Sequence, residues 1–286
     1  MISASRESKV GFRPLRTSAV FIALGITFLS NANASSTLPD SSQAGLLNIL
    51  THDAGIAVAD AQHVYASPFR ADGGQWLVAG SLIAGTAVLF PLDESIRSFA
   101  QRNHSRLGDD VFGAARVYGN VGVGIGVSAV FYVGGIITEN NGLKETGFMM
   151  LESLAIAGLT TSVIKSALGR SRPYTGEGPY KYRGFQFKAG TTALPSGHTT
   201  VAFALSSVLA SRVDGSIAPF ILYGAAILTG LSRVYHDDHW MSDSYLGAVV
   251  GTSSGLVVVR LHQQCRDGID LGLRPTLDGL NLRILF

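Results

Sequence analysis

The chain has 286 residues, 15% of them charged and 47% apolar; an ordinary soluble domain carries roughly 25% charged residues, so a largely water-exposed helical surface is excluded. A formal net charge of +2, with no basic run interleaved with aromatics, gives no footing for a nucleic-acid partner. Cys265 is the single cysteine, so an intrachain disulfide is excluded, and its distance from the polar motifs argues against a catalytic thiol.

Taken in order, the chain opens with Arg6, Lys9, Arg13 and Arg16, an uncharged run from Thr17 to Ser30, and Ala32-Asn33-Ala34. Basic region, short apolar core and small-x-small site form the pattern of a signal peptide over 1–34, with cleavage after Ala34. An uncleaved anchor is the competing reading, and the apolar core is short of the ~20 residues that a span needs. Either way the chain is sent to the cell envelope. Residues 35–73 form an N-terminal extension, where Leu46, Leu47, Ile49 and Leu50 suggest an amphipathic turn or short helix packed across the bundle.

Six apolar blocks come next: Gly74 to Leu92, Val117 to Thr138, Phe148 to Leu168, Thr199 to Val213, Ile217 to Leu231 and Tyr245 to Val259. Their lengths, their Gly and Ala content and the turn residues between them favour helices. Asn140-Asn141-Gly142 and Asp214-Gly215 read as helix-helix turns. Arg97, Arg102, Arg106 and Arg116 fall in the loop joining the first two blocks, where they balance Asp93, Glu94, Asp109 and Asp110 or greet an anionic headgroup; balance is the favoured reading. The last stretch, 265–286, alternates around Asp278-Gly279 and predicts an accessory β-hairpin, since one hairpin cannot close a barrel. The expected fold is all-α: a membrane-embedded multi-helix bundle over 74–264 with a short C-terminal hairpin.

Three polar segments interrupt this apolar chain: Lys165-x6-Arg172-Pro173, Pro195-Ser196-Gly197-His198 and Ser232-Arg233-x5-His239-x3-Asp243. Lys165 and Arg172, seven apart, share a helix face if the helix persists that far, and Pro173 ends it. Arg170 then lies about 140° around from Lys165 and reads as a surface or headgroup charge. Ser196 stands at an N-cap position, so the helix starting near Gly197 presents free backbone N–H groups to an anion. His239 and Asp243 open the last helix, with Arg233 ending the one before. Antiparallel packing of successive helices brings all three segments to one end of the bundle.

These segments resemble the tripartite signature of the type 2 phosphatidic acid phosphatase and vanadium-dependent haloperoxidase superfamily, matched at Lys165, Arg172, Pro173, Pro195, Ser196, Gly197, His198, Ser232, Arg233, His239 and Asp243. The resemblance covers 165–243 and implies a helical-bundle core and metal-free phosphoester hydrolysis through a phosphohistidine, with no cofactor. The first two apolar blocks and both termini lie outside it.

The residues support that chemistry on their own terms. A phosphate ester repels a nucleophile, so fixed positive groups must face its non-bridging oxygens; Lys165, Arg172 and Arg233 supply them, with Ser196 and the Gly197 and His198 N–H groups. His239, its tautomer set by Asp243 at i+4, is the nucleophile. His198 protonates the leaving alkoxide and then activates water. His236-Asp237-Asp238-His239 could instead ligate a metal, but phosphate-binding cations beside a divalent ion would be redundant; His236 is read as a loop residue, and Asp237 and Asp238 as solvated. Trp240 and Tyr235 either flank the pocket or pack.

The expected activity is hydrolysis of phosphomonoesters, with lipid phosphates or polyprenyl diphosphates favoured by the lipophilic surroundings. Vanadate-dependent haloperoxidase and soluble periplasmic nonspecific acid phosphatase are the alternatives. A cleaved signal followed by two spans would put the site on the cytoplasmic side, whereas the resemblance implies an outward one. The favoured placement is an inner-membrane protein with a periplasm-facing site, and a membrane-associated periplasmic bundle is the alternative.

Overall fold

The computed structural model describes residues 45–69, 71, 73–185, 188–266, 273–276 and 279–282. The expected signal peptide lies outside them. Among the described residues nine α-helices follow in order: α1 Leu46–Ala66, α2 Gly73–Leu89, α3 Asp93–Arg102, α4 Arg106–Tyr118, α5 Val121–Ile137, α6 Asn141–Leu168, α7 Gly197–Ser211, α8 Ile217–Tyr235 and α9 Met241–Arg266. Two short strands, β1 Leu273–Thr276 and β2 Gly279–Leu282, pair antiparallel with Leu273 opposite Leu282; the rest of the expected hairpin, Asp278 included, lies outside the described residues.

The bundle corrects the sequence in three places. The loop expected to join the first two apolar blocks is a pair of amphipathic helices, α3 and α4: Asp93 and Glu94 occupy the first turn of α3, and Ser105 caps α4 by accepting from the Gly108 N–H at 3.0 Å. The short helix expected near Leu46 runs for 21 residues as α1. The third apolar block is the latter part of α6, which starts earlier at the Asn140 cap and carries Lys144, Glu145 and Glu152 into the interior.

Among the described residues four helical segments are long and apolar enough to cross a membrane: Gly73–Arg102, Asn141–Leu168, Ile217–Tyr235 and Met241–Gln264, with α4 and α5 a fifth candidate bent by 52°. The chain is a membrane protein, and the outer faces agree, for Leu77, Ile137, Ile217 and Phe220 stand largely exposed. The 15-residue α7 is not in that set; it is enclosed by α6, α8 and α9.

Two glycine seams set the helix spacing. On α9, Gly247, Gly251 and Gly255 form one row against α7, and a Cβ at Gly251 would stand 2.3 Å from the Thr200 carbonyl oxygen. On α5 and α6, a Cβ at Gly135 would lie 2.2 Å from the Lys144 nitrogen, and one at Gly147 equally close to the Tyr132 nitrogen. Such contacts let backbones approach where lipid offers no hydrophobic drive between helices. Between the seams sits the apolar core of Phe131, Met149, Met150, Leu154, Leu205 and Val258.

At one end of this core α1, α5, α6 and α9 bury ionisable groups. Asp53 accepts from the Tyr132 hydroxyl at 2.8 Å and lies 3.6 Å from the Lys144 ammonium, while Glu145 pairs with Arg212 at 2.9 Å and His262 with Glu152 at 3.0 Å. The three signature segments gather at the opposite end. Asp93, just past α2, bonds Ser242 at the start of α9, so Gly73, at the other end of α2, belongs to the end away from them.

Candidate active site

Lys165 lies in the last turn of α6, which stops at Gly169 in the left-handed conformation (φ 62°). A Cβ there would stand 1.8 Å from the Arg183 carbonyl oxygen, so this C-cap requires glycine. The helix therefore does not persist to Arg172, as the seven-residue spacing assumed. Arg172 caps the short turn Pro173–Thr175, and the loop rather than a helix face brings it back beside Lys165, whose ammonium donates to the Thr192 carbonyl at 2.5 Å.

Because the helix ends early, Arg170 points inward instead of out to a headgroup. It is fully buried and donates to the Pro179 carbonyl at 2.8 Å, Ser242 Oγ at 2.7 Å, Asp243 Oδ1 at 2.6 Å and Asp93 Oδ2 at 2.7 Å. Asp93 also accepts from the Ser242 N–H at 2.9 Å. One guanidinium thus joins the end of α6, the start of α3 and the first turn of α9.

Past α8 the backbone turns at Asp237 (φ 60°), and the N–H groups of Asp238 and His239 both return to the Arg233 carbonyl, at 3.0 and 3.2 Å. This folds His239 back over the end of α8. Arg97 holds the turn by donating to both Asp237 carboxylate oxygens at 2.6 and 2.8 Å. His239 precedes α9 instead of lying on it, so the expected shared helix face gives way to a turn; its Nδ1 still stands 3.5 Å from Asp243 Oδ2. That same oxygen accepts from the Trp240 N–H at 2.9 Å, half of a capping box. Trp240 is buried with its indole donating to the Ser171 carbonyl at 2.9 Å, and Tyr235 bonds Asp109 at 2.7 Å, so both pack.

Ser196 is the N-cap residue of α7, but its hydroxyl accepts from Thr199 at 3.0 Å rather than capping the helix. Its N–H donates to the Asp243 carbonyl at 2.9 Å, tying the start of α7 to the first turn of α9. Gly197 and His198 follow in the first turn of α7.

The electrostatics show which residues meet. Burial first, then Lys165, Arg172, Arg233 and His198, holds the His239 imidazole well below its usual 6.5. His198 is pushed down to about 4 by burial, then by Arg233, Arg116, Arg172 and Lys165. Both rings are neutral at pH 7. Three buried guanidinium nitrogens, Arg172 Nε and Arg233 Nε and Nη1, have no acceptor among the described residues. Buried donors of this kind call for acceptor oxygens, and tetrahedral oxyanions supply them. Asp238 is not solvated: it pairs with Arg233 at 2.6 Å and approaches Arg172 at 3.9 Å. His236 bonds the Ser232 carbonyl at 2.7 Å.

A family model described as the PAP2 superfamily matches residues 146–267. That segment is similar to PAP2-superfamily proteins. Curated relatives include a lipid A 1-phosphatase of Rhizobium etli, 27% identical over 121 residues, covering 42% of this chain and 51% of that protein. Lipid phosphate phosphatase 1 of Arabidopsis thaliana is 32% identical over 133 residues, covering 36% of this chain and 40% of that protein. The chain thus spans about half, or less, of the length of these relatives. Among solved structures, a transmembrane PAP2 type phosphatidylglycerolphosphate phosphatase from Bacillus subtilis is similar at 20% identity and a TM-score of 0.52, over 64% of this chain and 95% of that one. That likeness establishes the fold.

Sequence reasoning missed Asp93, Arg170, Asp238 and Arg116. Gly169 was the signal for Arg170: a glycine one residue earlier ends the helix and voids the periodicity that turned the arginine outward. Arg116, exposed on α4, adds positive field at both His198 and Arg233, which links it to the end that holds the signature segments.

Proposed function

We propose that the domain is a metal-independent phosphomonoesterase acting on lipid phosphates through a phosphohistidine at His239. The observation that carries the reading is the set of buried, acceptor-less guanidinium nitrogens of Arg172 and Arg233 around a buried imidazole. The phosphoryl oxygens engage these donors, Lys165 and the N–H groups at the start of α7. Asp243 Oδ2 stands 3.5 Å from His239 Nδ1 with no hydrogen bond between them; closing that gap as substrate binds fixes the Nδ1–H tautomer and leaves the Nε2 lone pair to attack phosphorus. A phosphate ester with a second pKa near 6 brings a proton when it arrives as the monoanion. His198 takes that proton as the phosphate offsets the surrounding cations, and delivers it to the alkoxide as the P–O bond breaks and the Nε2–P bond forms. Water then gives a proton to His198, attacks phosphorus and displaces His239, releasing inorganic phosphate.

The lipid class is supported by the membrane-spanning helices and by relatives named for lipid A and lipid phosphates. A phosphate-release panel in detergent over phosphatidate, lipid A, undecaprenyl diphosphate and para-nitrophenyl phosphate, with no added metal, tests it alongside acid-labile trapping of radiolabelled phosphoenzyme. Turnover of a lipid substrate and a label lost in His239→Ala are expected. Wild-type turnover in His239→Ala would refute the covalent route, and exclusive use of the soluble ester would refute the lipid assignment.

A further inference from the structure

At the end of the bundle away from the signature segments, Asp60 of α1, Glu152 of α6 and His262 of α9 bring one donor atom each to within 4.8 Å of one another. Thirteen residues of α6 separate Glu152 from Lys165, roughly 20 Å, and nineteen of α9 separate His262 from Asp243, roughly 28 Å. The cluster is therefore no part of the phosphate-facing site.

We propose that Asp60, Glu152 and His262 form a binding site for a divalent transition-metal ion that clamps α1 to the bundle. Ligands at about 2.1 Å from a tetrahedral zinc-like ion stand about 3.4 Å from each other. His262 Nε2 lies 3.0 Å from Glu152 Oε2 and 3.8 Å from Asp60 Oδ2, which brackets that spacing. Glu152 is 4% exposed, and its second oxygen, Oε1, is buried with no hydrogen-bond partner among the described residues. A carboxylate oxygen left without a donor inside an apolar bundle costs free energy that a cation removes.

The other imidazole nitrogen faces a carboxylate at ion-pair distance. His262 Nδ1 stands 3.9 Å from Glu145 Oε1, and Glu145 is held by Arg212 at 2.9 Å. A carboxylate behind the distal nitrogen orients a metal-ligating histidine and frees Nε2 for the ion. Two carboxylates and one imidazole suit zinc, manganese, iron or cobalt in the divalent state better than calcium or copper(I). The Asp60 side chain, 13% exposed, gives the route of entry. The ion has a mechanical role, because it adds a third tie from α1 to α6, placed between Asp53, 3.6 Å from the Lys144 ammonium, and Tyr65, whose hydroxyl reaches the Ile156 carbonyl at 3.1 Å. This inference does not depend on the phosphatase reading.

The test uses the full chain in detergent, stripped with chelator and titrated with cobalt(II) as an optical probe, with zinc(II) binding and the thermal midpoint measured in parallel. One saturable equivalent, a ligand-field band and a raised midpoint are expected, all weakened at least tenfold in Glu152→Gln and retained in His239→Ala. His262→Cys places a thiolate at the same vertex and adds a sulfur-to-cobalt charge-transfer band, which assigns the position even if Glu152→Gln folds poorly. Absence of saturable binding to the wild-type chain, or binding unchanged in both Glu152→Gln and His262→Cys, overturns the proposal.

Discussion

Replacing Arg170 with methionine isolates what the buried arginine does. The substitution keeps most of the side-chain volume but removes every donor that the guanidinium gives to Asp93, Asp243, Ser242 and the Pro179 carbonyl. Breaking a buried ion pair costs roughly 3–5 kcal/mol because the surviving charge is left uncompensated. Here each carboxylate keeps a backbone donor, Ser242 N–H for Asp93 and Trp240 N–H for Asp243, so the lower figure applies. At about 2–4 °C per kcal/mol for a domain of this size, the thermal midpoint in detergent falls by roughly 6–12 °C. Turnover falls as well, since Asp243 stands behind His239 and a displacement near 1 Å costs on the order of 100-fold. KM is expected to change little, because Arg170 is fully buried and donates only to Pro179, Ser242, Asp243 and Asp93 among the described residues. The double variant Arg170→Met with Asp93→Leu removes both charges of one pair; it regains part of the midpoint but none of the turnover, which separates stability from positioning. A single variant with its midpoint within about 2 °C of wild type and unaltered kcat would refute the reasoning.

Stability falls on the acid side. A histidine whose folded pKa is depressed binds fewer protons folded than unfolded, so stability is complete above pH 6.5 and is lost as pH falls toward the folded value. For His198 that window runs from 6.5 to about 4 and is worth up to about 3 kcal/mol, with His239 adding loss in the same direction. Thermal midpoints in detergent over this range should decline, and His198→Gln should flatten the slope; an unchanged slope in that variant would contradict the assignment. Gly251→Val forces α7 and α9 apart at a contact of 2.3 Å and should abolish folding or cost 3 kcal/mol or more. Gly224→Ala on α8, with open space around it, should be neutral or stabilising by about 0.5–1 kcal/mol; equal effects of the two in thermal melts would discount the seam.

Much of the bundle was legible because apolar runs bounded by Asn, Asp and Gly turns mark helices whatever surrounds them. The blocks at Ile217 and Thr199 begin within two residues of α8 and α7. What hydropathy conceals is a helix that buries charge: the start of α6 carries Lys144, Glu145 and Glu152, and only their partners on α1, α9 and Arg212 make that burial tolerable. α3 and α4 were hidden for the opposite reason, since their charges on amphipathic faces look like a loop when only apolar blocks are sought. The signature residues could be named from spacing, but the contacts that fix them could not. Asp93 stands 77 positions before Arg170, and no local pattern announces a bond of that span.

The carboxylate of Asp238 rests on Arg233 and close to Arg172, and it keeps mutually repelling guanidinium groups in position. Under the proposed function it would act as a placeholder: an incoming phosphate would exchange one anion for another rather than meet bare cations, so part of its electrostatic gain would go into displacing an ion pair. With the same carboxylate returning as phosphate leaves, the arrangement would weaken product retention in proportion to what it subtracts from capture.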